Sequence, residues 1–102
     1  MKKFRVAWTE QARIDLREIR KFIAKDAPLT AKAYTARLRQ DVKNRLSTAP
    51  NAGSIVAGSK GETLREIYFG SYRIIYRVRT KVEVITLYHS ARLLRTDDLD
   101  RG

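Results

Sequence analysis

GSYRIIYRVR, Gly70–Arg79, followed by YHSAR at Tyr88–Arg92, is the stretch that decides the fold. Its apolar and cationic residues alternate with period two, the pattern of a strand with two different faces. Tyr72, Ile74, Tyr76 and Val78 share one face, and Arg73, Ile75, Arg77 and Arg79 share the other. Gly70-Ser71 has the form of a two-residue hairpin turn with glycine first. A strand over Glu62–Phe69 therefore precedes Tyr72–Arg79. Thr80-Lys81 turns the chain again into Val82–His89, VEVITLYH, and the three segments make an antiparallel meander over 62–89.

Upstream the period changes. Phe4, Val6 and Trp8 alternate with Lys3, Arg5 and Ala7, predicting a strand over 3–8. Thr9 offers an N-cap hydroxyl, and Glu10 suits the positive first turn of a helix. Ala12, Leu16, Ile19 and Ile23 then recur at helical spacing, giving a helix over 10–25. Pro28 disfavours helical backbone at Ala27 and ends it. A second helix over 30–48 carries Ala31, Tyr34, Leu38, Val42 and Leu46 as its stripe and stops at Ala49-Pro50. So short a connection makes the helices antiparallel neighbours. Asn51–Gly61, NAGSIVAGSKG, reads as a loop, and 93–102 as a tail with an acidic cluster at Asp97, Asp98 and Asp100. The whole is one domain of α+β class: a strand, a helix hairpin, and a three-stranded sheet with one face on the helices.

Composition narrows the function. The 102 residues are 43% hydrophobic, enough for one modest core. No apolar run nears the length of a membrane span and no signal core follows the basic N-terminus, so a cytoplasmic protein with no membrane partner is expected. With no cysteine and one histidine, metal sites built on thiolate or imidazole clusters are excluded, and no carboxylates are spaced like a calcium loop. No glycine motif of the phosphate-cradling type is present, and no cofactor is expected. The formal net charge is +11, with 13 basic and 5 acidic residues in 1–50 against 9 and 6 in 51–102. Such an excess speeds encounter with polyanions and acidic proteins.

Arg65, Arg73, Tyr88, His89 and Arg92 are the candidate chemical residues. Cleavage of RNA through its own 2′-hydroxyl needs an acid, a base and cations around the phosphate. Arg65, Arg73 and Arg92 would supply cations, and His89 the proton transfer, since imidazole titrates near neutral pH. Tyr88 would stack on a base. Neighbouring strand residues point to opposite faces, however, so Tyr88 and His89 share a pocket only if the strand has ended there. The alternative is structural: His89 caps the following turn, and Arg73 pairs with Glu66 or Glu83 across strands. Arg65, Arg73, Arg77, Tyr88 and Arg92 would then form a basic sheet face for a protein partner.

Trp8-Thr9-Glu10-Gln11-Ala12, Asp15-Leu16, Ile19, Phe22-Ile23, Pro28, Leu46, Pro50, Arg65-Glu66-Ile67, Tyr72-Arg73-Ile74-Ile75-Tyr76 and His89-Ser90-Ala91-Arg92 together resemble toxins of the ParE/RelE superfamily over about residues 4–94. The resemblance implies a toxin of a type II toxin–antitoxin module, neutralised by a cognate acidic antitoxin. One branch poisons DNA gyrase; the other cleaves messenger RNA on the ribosome. The lysine pair of the RNase branch is absent, Leu64-Arg65-Glu66-Ile67 offering Arg65 beside a carboxylate, and the HSAR ending resembles the ParE branch. The resemblance thus implies a gyrase inhibitor rather than an enzyme, with ribosome and mRNA as the alternative targets.

Overall fold

A computed structural model describes residues 3–56 and 63–91. Its elements are β1 (Val6–Trp8), α1 (Glu10–Ala24), α2 (Pro28–Thr48), β2 (Ser54–Val56), β3 (Leu64–Phe69), β4 (Tyr72–Val78) and β5 (Val82–His89). They form an α+β fold with a five-stranded sheet in the order β1-β5-β4-β3-β2. The expected meander is its centre: β3 pairs with β4 and β4 with β5, both antiparallel, around the Gly70-Ser71 turn. Gly70 has φ +56°, in the left-handed region that favours glycine.

Two strands extend the expected sheet. β1 is shorter than its alternation suggested and pairs with β5 in parallel, Val6 opposite Val82 and Trp8 opposite Val84. The segment read as a loop at Asn51–Gly61 contains β2, antiparallel to β3. Its three residues are too few for alternation to register against the flanking Gly and Ser. α2 starts at Pro28 rather than Thr30, because proline needs no amide partner in a first turn. The tail at 93–102 lies outside the described residues.

Thr9 joins helix to sheet. Its Oγ1 accepts the Ala12 amide at 3.2 Å as the N-cap of α1 and donates to the Ile85 carbonyl at 2.9 Å. The Thr9 amide meanwhile donates to Val84 O at 3.0 Å. At this point β5 carries an irregularity: Ile75 faces Thr86, Tyr76 faces Val84, and Ile85 is passed over. Beyond β1 the edge of β5 is met by Asp15 of α1, whose Oδ2 accepts the Leu87 amide at 3.1 Å and the Thr86 hydroxyl at 2.5 Å.

The core lies between sheet and helices. Ala12 and Ile19 of α1 and Leu38, Val42 and Leu46 of α2 pack with Ile67, Tyr72, Ile74, Tyr76, Val82, Val84 and Leu87. A smaller buried cluster of Leu64, Ile75, Ile85 and Tyr88 includes Ile75 from the other face of β4. Arg73 and Arg77 of the same face flank this apolar patch.

Candidate functional site

The structure divides the residues that sequence grouped. Arg73 lies on one face of β4, opposite Tyr68 on one side and Tyr88 on the other. Its Nε donates to the Tyr68 hydroxyl at 2.8 Å, its guanidinium sits 5.3 Å from that ring's centre, and Nη2 is 3.5 Å from Glu66 Oε1. The Tyr68 hydroxyl closes the circuit by donating to Glu66 Oε1 at 3.3 Å. The hydrogen bond to Tyr68 is the main cause raising the Arg73 pKa above its ordinary value. Burial raises that of the Tyr88 phenol, opposed by its hydrogen bond with Arg73. Arg77 Nε donates to Glu83 Oε1 at 2.9 Å, with both side chains about four-fifths buried. These arginines are neutralised within their own sheet.

Arg65 belongs to another group. It pairs with Tyr76, three residues beyond Arg73 on β4, and so faces the opposite way. Its Nη1 donates to the carbonyls of Asn51 and Gly53 at 3.2 and 2.9 Å, fastening the chain into β2. His89 Nδ1 accepts the Ala91 amide at 3.1 Å and its ring stands edge-on to Tyr72. It therefore caps the turn after β5, the structural role sequence left open. Arg92 lies outside the described residues.

A different basic surface is open. On α1, Arg13, Arg17 and Arg20 follow at spacings of four and three, within one arc of the helix. On α2, Lys32, Arg39 and Lys43 do the same at seven and four. The hairpin brings the two rows to either side of one seam, where three adjoining hollows of about 330, 420 and 260 Å³ all reach Arg39. Their floor is Val6, Trp8, Leu16 and Ala36, and no carboxylate among the described residues lines them. Among the described residues Arg17, Arg20, Lys32, Arg39 and Lys43 make no ion pair. Arg13 is steadied by a 2.7 Å bond from Nη1 to the Trp8 carbonyl. These cations are not among the candidates that the sequence pattern singles out; the signal that could find them is their spacing, which keeps each row on one line.

The other side of α1 differs in charge. Asp15, Glu18, Ile19 and Phe22 face Tyr72, Leu87, Tyr88 and His89 across a groove of about 360 Å³. Phe22 is 65% exposed there. One helix thus divides a carboxylate-bearing aromatic groove from a cationic one.

Fold and groove together describe a small α+β protein whose helix hairpin presents an open cationic groove. The chain belongs to the ParE toxin family: the family model described as ParE toxin of the type II toxin–antitoxin system parDE matches residues 6–94. No curated protein matches it significantly. Among solved structures it is similar to a chain of the chromosomal ParDE toxin–antitoxin system from P. aeruginosa, with TM-score 0.71 and 17% identity, covering 84% of this chain and 95% of that one. It is also similar to a chain of the RelBE2 toxin–antitoxin complex from Mycobacterium tuberculosis, with TM-score 0.66 and 23% identity, covering 90% and 97%. At these identities the likeness shows a shared fold. No helix among the described residues is long and apolar enough to cross a membrane.

Proposed function

We propose that this chain is a toxin that inhibits DNA gyrase and is neutralised by an antitoxin segment seated in the helix-hairpin groove. The carrying observation is the pair of cation rows, without ion pairs among the described residues, that flank an apolar floor. That geometry suits an acidic amphipathic helix, which would lower its apolar side chains into the seam and set its carboxylates against Arg17, Arg20, Arg39 and Lys43. The solved relatives come from a ParDE system and a RelBE2 complex, which supports a partner of this kind.

A binding role is favoured over RNA cleavage by the same geometry. Arg73 is held by Tyr68 and Glu66, Arg65 by two loop carbonyls, and His89 by the Ala91 amide. Arg65 and Arg73 face opposite ways, so they cannot clasp one phosphate together. Adding the toxin to purified gyrase with supercoiled DNA is expected to accumulate cleaved complexes. Undiminished supercoiling at excess toxin, together with cuts in the A-site codon of programmed ribosomes, would replace this reading with the RNase one.

A further inference from the structure

We propose that the hairpin groove binds the phosphate backbone of duplex DNA directly, without gyrase. The groove carries charge that no described residue neutralises. None of the six groove cations makes an ion pair among the described residues, Arg13 bonding only the Trp8 carbonyl, whereas Arg73 and Arg77 of the sheet are matched by Glu66 and Glu83. Held side by side on rigid helices, the unmatched cations repel one another, and an external polyanion relieves that repulsion.

Spacing selects the polyanion. At about 1.5 Å per residue the α1 row runs about 10 Å and the α2 row about 16 Å. Packed helix axes lie about 8–10 Å apart, so the two rows can reach the phosphate lines that border a groove about 6 Å wide. A duplex carries one charge per about 1.7 Å of axis, hence about nine phosphates along the longer row, more than the cations present. An acidic helix of that length has about 11 residues, and those toward the seam must be apolar, leaving fewer anions than a duplex offers. Four of the six cations are arginines, whose planar forks bind phosphate in bidentate fashion. DNA and the antitoxin segment become alternative occupants of one surface.

The test is fluorescence anisotropy of a labelled duplex of about 20 base pairs titrated with the free toxin between about 50 and 200 mM salt. With six contacts, log K is expected to fall against log salt with a slope of about −5. Arg17→Gln with Arg39→Gln is expected to weaken binding by about tenfold or more and flatten the slope by about 2. Lys21→Gln with Lys25→Gln removes the same charge outside the groove and is expected to change affinity by less than about threefold. All four side chains are exposed, and circular dichroism verifies that each variant is folded. No binding at the lowest salt overturns the proposal, as does an equal loss in the control pair. A groove that takes an acidic amphipathic peptide but no DNA, with the peptide lost in the Arg17/Arg39 variant, overturns it in favour of a protein site. Because the measurement contains no gyrase, its failure leaves the gyrase reading standing, and failed gyrase poisoning leaves DNA binding standing.

Discussion

The Tyr76 hydroxyl donates to the Pro50 carbonyl at 2.7 Å and accepts the Gly53 amide at 3.0 Å, so a side chain in mid-strand clips the end of α2 to the start of β2. Removing it leaves two buried backbone groups without their partner, and Tyr76→Phe is expected to cost about 1–3 kcal/mol in urea unfolding. The space is equally tight from the other side: a Cβ on Gly53 would collide with the Tyr76 hydroxyl and lie 2.7 Å from the Glu66 carbonyl. Gly53→Ala should therefore destabilise by about 1–3 kcal/mol, an overpacking cost, although alanine normally stiffens the unfolded chain to advantage. A pH signature accompanies these phenols. Burial is the first cause raising the pKa values of Tyr72, Tyr76 and Tyr88 above the ordinary 10.0. The folded state then holds its phenolic protons to higher pH than the unfolded chain does. Their contribution is complete below about pH 10 and is lost as pH rises through the folded values. Alkaline titration followed by circular dichroism should show unfolding setting in above about pH 10, with a shallower decline in Tyr76→Phe. A decline of equal steepness in that variant would remove Tyr76 from the account.

β5 is central where β1 covers it and open beyond Val84, and α1 manages the open part with one carboxylate. Asp15 accepts the Leu87 amide and the Thr86 hydroxyl through Oδ2, and Gln11 Nε2 at 2.8 Å through Oδ1. An edge met in this way cannot accept a stray strand at Leu87. Asp15→Ala is expected to destabilise by about 1–3 kcal/mol and to speed hydrogen exchange at the Leu87 amide well beyond the change at Ile74, its neighbour inside the sheet. Equal acceleration at both would mean global loosening instead. This arrangement shows what sequence can and cannot reveal about an element. The alternation in GSYRIIYRVR and the stripe of Ala12, Leu16, Ile19 and Ile23 are local periodicities, and they located β4 and α1 directly. Asp15 bonds residues more than 70 positions away, and β1 finds β5 across the whole helix hairpin; no local pattern encodes either partner. β2 was missed because three residues in a Gly/Ser-rich stretch carry no period. His89 and Arg73 were legible as residues of interest, with their structural pairings as one open alternative, because cross-strand neighbours follow from register.

The charge of +11 is divided by the fold into two unlike surfaces. On the sheet, carboxylates interleave with arginines: Glu66 serves Arg73 and Glu83 serves Arg77. On the hairpin, the single carboxylate of α2, Asp41, is already paired with Arg45 at 3.2 Å, outside the groove, and the cation rows make no ion pair among the described residues. The two surfaces should therefore respond oppositely to substitution. Arg77→Gln breaks a largely buried pair and leaves Glu83 without that partner, so its cost is expected as about 1–3 kcal/mol of folding stability with antitoxin affinity little changed. Arg17→Glu with Arg39→Glu touches no internal ion pair and relieves local repulsion, so stability should hold or rise slightly. The same reversal sets like charges against an acidic partner and is expected to weaken antitoxin binding by about 2–5 kcal/mol, or roughly 30-fold and upward, with the greater part of the loss at low salt. Calorimetric titration of the antitoxin's acidic segment into each folded variant, beside their thermal unfolding, separates the two behaviours. If Arg77→Gln weakens binding as much as the double reversal, the sheet face is the interface and the hairpin groove is not.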